Sequence, residues 1–289
     1  MEENKNLKIV MDSAGDLPEE WIERYDIEVV PINIHIGDDL YLEDVDLSKD
    51  KFYQVVAETG VIPKTSQPSP EQFKEVYREI AEPGEQILSV HITSGLSGTY
   101  GSAQTAAAEL EEEGYQIEVF DTRAGTAIQG YMCVEARKMA DQDLSLGQIL
   151  DRLKEIRDQT EIILTLDSLD FARMSGRVRA LESLLASLLR VKPVIFLKGG
   201  TLEIGRKVRS RLASLDYLVE EITRRVGSRL VNAAVLHAHD LEGAVEFAER
   251  IKEALNTNYF FIEEVSIGIA SNLGPGTIGV VAYPASKGV

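Results

Sequence analysis

The sequence predicts an α/β protein of two domains: an N-terminal parallel-sheet three-layer α/β/α domain and a C-terminal mixed-sheet α/β domain. Three observations carry this. The chain has 289 residues, enough for two ordinary cores. Short β-rich runs alternate with amphipathic helical segments as far as Gln159. Beyond that point hairpin-like pieces enter among the helices. The expected domains are therefore 1–159, carrying hydroxyl-rich loops, and 160–289.

KIVMDS, from Lys8, reads as a short buried strand, and DLPEEWIERY as a helix with Asp16 as cap and Pro18 in its first turn. EVVPINIHIG is β-rich. DLSKDKFYQVVAE is a helix capped by Asp46 or Ser48. A loop with prolines at 63, 68 and 70 precedes an amphipathic helix for which Ser69 is the cap. QILSVHIT is a strand, SGTYGSAQTAAAELEEEG a helix, and QIEVFDT a strand; two helices follow from about Thr126 to Asp158. EIILTLDSLDFARMSGRV is strand-like and then a loop, and ALESLLASLLRV is helical. KPVIFLKGGTLEIGRKVRS is a hairpin turning at Gly199 and Gly200. After another helix, LVNAAVLHAHD, FFIEEVSIGIA and GTIGVVAYP read as strands.

Composition excludes several classes. Apolar residues make up 44% and the formal net charge is -18, which opposes nucleic acid and anionic membranes. No run approaches the roughly 20 apolar residues of a membrane helix, and the start lacks a signal-peptide core, so a cytoplasmic protein without stable membrane insertion is expected. Cys133 is the only cysteine, which rules out an internal disulfide or a thiolate cluster.

Ligands of open α/β sheets lie beyond the carboxyl ends of the strands. Three loops fall there: Asp12 to Asp16, Thr93-Ser94-Gly95, and Asp121-Thr122-Arg123. The middle one belongs to HITSGLSGTYGSA, which packs six hydroxyl side chains and three glycines into thirteen residues. This stretch is not G-x-S-x-G, and only His91 could be folded near as a base. Ser97-Gly98-Thr99 opens a helix that could cradle an anion or simply be capped, but no P-loop or G-x-G-x-x-G is present. His237 and His239 share a strand face without a third metal ligand, and Asp240 reads as a helix cap. TSQPSP fixes Thr65, Ser66 and Gln67 between prolines, either as a presented set of hydroxyls or as plain turn chemistry. SNLGPGTIG supplies Gly274 and Gly276, for close approach or a tight turn. GRKVRSRL carries Arg206, Lys207, Arg209 and Arg211, and Arg173, Arg177 and Arg179 form a second basic island; each reads as a solvated face or as a dock for an acidic partner or a phosphate.

Taken in order, VMDSAGDLP, TSQPSP, ITSGLSGTYGSA, VFDT, SGRV, KPVIFLKGGTLEIGRKVRSR and GPGTIGV resemble the DegV family, which includes the FakB fatty-acid-binding subunits of bacterial fatty acid kinase. The resemblance spans essentially the whole chain. It implies a non-enzymatic carrier that buries one long-chain fatty acid in a tunnel between the domains, with no other cofactor and no metal. It also implies an ATP-dependent fatty acid kinase subunit as partner, which forms an acyl phosphate from the presented carboxylate. Thr65, Thr93, Ser94 and Asn272 are then the carboxylate ligands, with Ser13, Ser66, Gly274 and Gly276 near the head group. Arg177, Arg206, Arg209 and Arg211 are the docking residues. Where relatives often read His-Thr-Gly-Pro-Gly, this chain has Asn272-Leu273-Gly274-Pro275-Gly276, and asparagine does not titrate. The rival classes are a small-molecule phosphotransferase or hydrolase using the Ser/Thr loops, and a lipid-responsive interaction module.

Overall fold

The computed structural model describes residues 7–175 and 191–286. Arg177, Arg179 and the helix expected around ALESLLASLLRV lie outside the described residues.

The N-terminal strands are β1 (Lys8–Asp12), β2 (Ile27–Val30), β3 (Asn33–Ile36), β4 (Asp39–Leu42), β5 (Lys64–Ser66), β6 (Gln86–His91) and β7 (Gln116–Asp121). Four of them form an all-parallel sheet in the order β2-β1-β6-β7. The other three form a small antiparallel sheet, β4-β3-β5. EVVPINIHIG thus divides between two sheets around Pro31, which lacks the N–H a continuous strand needs. The helices here are α1 (Glu19–Arg24), α2 (Lys49–Thr59), α3 (Pro70–Ile80), α4 (Thr99–Glu111), α5 (Thr126–Ala140) and α6 (Leu146–Gln159).

The rest of the described chain is β8 (Glu161–Thr165), α7 (Asp170–Ser175), β9 (Lys192–Lys198), β10 (Thr201–Val208), α8 (Arg211–Val226), β11 (Leu230–His237), α9 (Leu241–Ala254), β12 (Asn256–Glu264), α10 (Ile267–Leu273) and β13 (Ile278–Pro284). Its mixed sheet runs β10-β9-β8-β13-β11-β12, parallel only between β11 and β12. The expected hairpin is present, with Thr201 opposite Lys198. The segment SIGIA is helical, not a strand as expected: Ser266 accepts a hydrogen bond from the Ile269 N–H and starts α10. The stretch after Asp167, expected as loop, contains α7.

The layers alternate as α3/α4, parallel sheet, α5/α6, mixed sheet, α8/α9. Helix α5 is the shared element, buried along its length except at Lys138. Its Gln129 side chain donates to Asp12 and to the Val90 carbonyl in the parallel sheet, while the Tyr131 hydroxyl donates to the Ala233 carbonyl in the mixed sheet. A helix buried on all faces needs apolar or partnered residues, and most of this one's side chains are one or the other; Thr126 Oγ1 and Gln129 Oε1 are its buried atoms without a partner among the described residues. One apolar cluster, including Met11, Val90, Tyr131, Ile162 and Tyr283, runs from sheet to sheet around it. At about 1.5–3 kcal/mol for each large side chain buried, this cluster fixes the two sheets against one another.

Candidate functional site

A cavity enclosing about 960 Å³ of empty space, part of it open to solvent, lies where the carboxyl end of the parallel sheet meets β8, β9 and β10. Its wall on the mixed sheet is one cross-strand row: Ile162 faces Leu197, and Leu197 faces Leu202. Period-two alternation sends their neighbours Ile163 and Phe196 to the opposite face, into the core under α8 and α9. Ala14, Ile32, Ile92, Leu96, Ala124, Leu164, Ile269 and Leu273 complete the apolar part. The polar part comes from Thr65, Ser66, Gln67, Thr93, Ser97, Thr126 and Asn272. No charged side chain lines the cavity among the described residues.

The geometry sorts the residues read from sequence. Thr65, on β5 opposite Ile34, lines the cavity, and its hydroxyl has no partner among the described residues. Ser66 lines it too, 2.9 Å from His35 Nε2. Thr93 lines it, but its hydroxyl donates to the Gly200 carbonyl at 3.0 Å and accepts from the Gly95 N–H at 3.2 Å. Thr93 therefore fastens the hairpin tip to the loop after β6. A Cβ on Gly95 would lie 2.5 Å from the Gly200 oxygen, so only glycine allows this approach. Ser94 does not face the cavity: it is exposed and donates to Asp121 Oδ2 at 2.6 Å. A nearby carboxylate is a stronger acceptor for its hydroxyl than solvent.

Asn272 lines the cavity, yet its amide group donates to the Gly268 carbonyl at 2.6 Å and to Ser271 Oγ at 3.3 Å. Its donors are turned back onto α10. Ser13 is not a lining residue; it donates to Glu43 Oε2 at 2.5 Å and accepts from the Ile32 N–H. Gly274 and Gly276, at φ +83° and +77°, pack on Phe171 and Asp167, away from the lining. Arg206 lies over the Tyr217 ring, Arg211 pairs with Asp240 at 2.8 Å, and Arg209 is exposed. These arginines sit at the far end of β10 from the Gly200 tip.

Ser97, legible only as a helix cap or anion cradle, and Thr126, which had no signal beyond following Gly125, join the polar wall. Each lies where a helix begins. Five of the seven described helices longer than two turns carry a side-chain cap: Ser48, Ser69, Ser145, Ser210 and Asp240. The exceptions are α4 and α5, whose N-cap residues are Gly98 and Gly125; at α4 the Ser97 hydroxyl, one residue earlier, accepts from the Thr99 N–H and lies 2.8 Å from Thr99 Oγ1. Both glycines line the cavity. Helix N-termini left without a side-chain cap, set at a cavity, offer N–H donors and the positive end of the dipole to an oxygen ligand.

Two buried polar groups lie outside the cavity. In the first, Asp12 Oδ2 is 2.9 Å from His91 Nδ1, His91 Nε2 is 2.6 Å from Ser89 Oγ, and Ser89 Oγ is 2.7 Å from the Tyr77 hydroxyl. This has the order of an acid-base-nucleophile line, but Ser89 and His91 are fully buried and neither lines the cavity. Ser94 and Ser97 take no part in it. In the second, Asp16 and Glu43 are buried beside Lys49. Asp16 does not cap α1 as expected; it accepts from the Ser266 N–H across the molecule. Burial raises its carboxyl well above the usual range. Burial likewise pushes Glu43 up to about 7, against the Ser13 and Gly268 hydrogen bonds that favour its anion. Among the described residues no cluster of His, Cys, Asp and Glu could hold a metal.

The fold and site define a three-sheet α/β protein with an apolar cavity rimmed by hydroxyls. The sequence model described as "Uncharacterised protein, DegV family" matches residues 6–285. A DegV domain-containing protein of Deinococcus radiodurans is 32% identical over 288 residues, 97% of this chain and 99% of that one. The chain belongs to the DegV family. Among solved structures, a DegV family protein from Thermus thermophilus described for fatty acid binding is 30% identical, with TM-score 0.90, covering 97% of this chain and 100% of that one. A stearic-acid-binding protein from Eubacterium ventriosum is 28% identical, with TM-score 0.90, covering 96% and 98%.

Proposed function

We propose that this protein binds a single long-chain fatty acid in the cavity, as a carrier and not as a catalyst. The observation that carries the reading is the cavity itself: an apolar body, a rim of neutral donors and no charged lining. Burying the tail contributes about 0.8 kcal/mol per CH₂, and neutral hydroxyls then need only orient the carboxylate. Thr65, Ser66 and Ser97 hold the head group beside the start of α4, while Thr93 acts indirectly by seating the hairpin. Residues 1–159 carry the head-group loops and 160–289 close the tunnel. The fatty acid binding described for the Thermus protein and the stearic acid named for the Eubacterium protein support this reading.

The carboxylate end is the part of the ligand exposed to a second protein. An ATP-dependent kinase subunit that phosphorylates it is the partner this arrangement suits, with Arg206 and Arg209 as docking residues. Arg211, tied to Asp240, contributes less. Native and then denaturing mass spectrometry of the purified protein tests the carrier reading. A stoichiometric long-chain fatty acid supports it. An empty protein that takes up no added fatty acid overturns it, and ATP or ester turnover by the pure chain favours the enzyme classes.

A further inference from the structure

Glu43 does not line the cavity, yet its hydrogen bonds run to two residues that do. Its backbone N–H donates to the Ile32 carbonyl at 3.1 Å. Its Oε2 accepts from the Ser13 hydroxyl at 2.5 Å, and Ser13 Oγ accepts from the Ile32 N–H at 3.0 Å. Ile32 is thus held on both sides of its backbone by one acid and the serine bound to it. Across the molecule, Glu43 Oε1 accepts from the Gly268 N–H at 3.2 Å. Gly268 belongs to the first turn of α10, where N–H groups have no partner within the helix. A Cβ on Gly268 would lie 2.9 Å from Ile32 Cδ1, so glycine lets α10 rest directly on Ile32. Ile32 and Gly268 both line the cavity, and α10 also brings Ile269, Asn272 and Leu273 to it. The Glu43 carboxyl therefore joins a wall residue next to β3 to the helix that builds the wall from the far part of the chain.

The surroundings of this carboxyl favour its neutral form. It is 1% exposed, and burial raises it to about 7. Asp44, just after it, and Asp16, on the loop after β1, are acids like itself, and Glu263 on β12 joins the same group. Lys49 on α2 is the cation present, and its ammonium donates to the Glu264 carbonyl at 2.8 Å. Helix α10 brings no titratable side chain, and His35 on β3 is turned to Ser66. The neutral carboxyl keeps both of its bonds: Oε1 still accepts from Gly268, and Oε2 donates to Ser13 Oγ in place of accepting from it. One residue layer separates Glu43 from the cavity. An apolar tail that displaces water from the Ile32–Gly268 wall removes solvation that the anion needs more than the acid does.

We propose that Glu43 is a positioning residue for the acyl chain: it locks Ile32 and Gly268 into one wall, and the protein takes up a proton at this carboxyl as the cavity fills. The proposal rests on the fatty-acid reading and adds a dependence on pH to it. Because binding raises the proton affinity of Glu43, ligand affinity is full below about pH 6 and falls as pH rises through 7.

The test is calorimetric titration of the delipidated full-length protein with tetradecanoic acid. Buffers of different ionisation enthalpy at about pH 7 count the protons taken up, and affinities are compared at about pH 6 and about pH 8.5. The wild type is expected to take up a fraction of a proton and to bind about fivefold to tenfold more weakly at the higher pH. Glu43→Gln stays neutral, so it should take up none and bind equally at both. Glu43→Ala strands the Gly268 N–H and Ser13, and should bind about tenfold more weakly than Glu43→Gln at either pH. Ser13→Ala removes the hydrogen bond that favours the anion, so it should move the fall in affinity to higher pH. Should Glu43→Gln fail to fold by circular dichroism, this variant decides, and an unmoved fall overturns the proposal. A wild type that binds the acid without proton uptake and with a flat profile overturns it and leaves the carrier reading standing. So does a Glu43→Gln protein that keeps the wild-type profile, since the proton then belongs to Asp16, to another acid or to the ligand. Glu43→Ala binding as tightly as Glu43→Gln also overturns it. Failure of the wild type to bind the acid overturns the carrier reading and the proposal with it.

Discussion

Two polar regions lie within a few residues of one another in sequence and behave in opposite ways. The line Asp12, His91, Ser89, Tyr77 is sealed: each group meets another protein group, and Asp12 also accepts from the Ile92 N–H, the Ala14 N–H and Gln129. The cavity rim begins two residues beyond His91 and is open. The Thr65 hydroxyl has no partner among the described residues, and the N-cap residues Gly98 and Gly125 bring no capping side chain. A buried polar group must be partnered, and a protein that partners it internally has made structure. One that leaves a hydroxyl unpartnered on a cavity wall has kept it available to a ligand. The contrast separates the serine of a fold from the serine of a site without reference to residue type.

Substitutions at the sealed line should give the largest effect. Asp12→Ala strands four buried donors and is expected to lower stability by about 3–5 kcal/mol, a fall of roughly 10 °C in thermal midpoint by calorimetry. An unchanged midpoint would mean that the line is not structural. Next comes the buried acid beside Gly268. Folding raises the Glu43 carboxyl from its ordinary 4.5 to about 7, so the folded state holds a proton that the unfolded chain releases. Its contribution is full below about pH 4.5 and is lost as pH rises through 7. Glu43→Gln should match the wild type near pH 4 and exceed it by up to about 3 kcal/mol at pH 8 in urea titrations.

At the open rim, Thr65→Ala combined with Ser97→Ala should weaken fatty acid binding by about tenfold to a hundredfold while moving stability by less than about 0.5 kcal/mol. A loss of stability matching the loss of binding would erase the distinction between the two regions. The smallest effect belongs to Ser94→Ala. Its hydroxyl serves Asp121 on the surface, so binding should change by less than about twofold, and a large loss would return Ser94 to the site.

Much of the fold was readable because it depends on local pattern. The strand-helix alternation to Gln159, the caps at Ser48, Ser69 and Asp240, and the hairpin turn at Gly199-Gly200 all follow from period, propensity and turn chemistry. Misread elements had competing local signals. SIGIA is apolar enough for a strand, yet its serine starts a helix. Asp16 stands before Pro18 like a cap and is instead drawn to Ser266, a contact between residues 250 apart. For the site, TSQ pointed to Thr65, and the structure sets Thr65, Ser66 and Gln67 on the cavity wall. Thr93, Ser94 and Ser97 look alike in sequence and part company in space. One fastens the hairpin, one meets Asp121, and one faces the cavity.

The sequence by itself determined the α/β class, the hydroxyl-rich loops at strand ends, the absence of a P-loop, and the family likeness, since each is a matter of residue type and spacing. Only the tertiary structure decided which hydroxyls are free. A side chain's hydrogen-bond partner is set by what the rest of the chain brings against it: Gly200 against Thr93, Asp121 against Ser94, and, among the described residues, no partner against the Thr65 hydroxyl. A donor's availability is a property of its whole surroundings, and those surroundings exist only once both sheets have closed on α5.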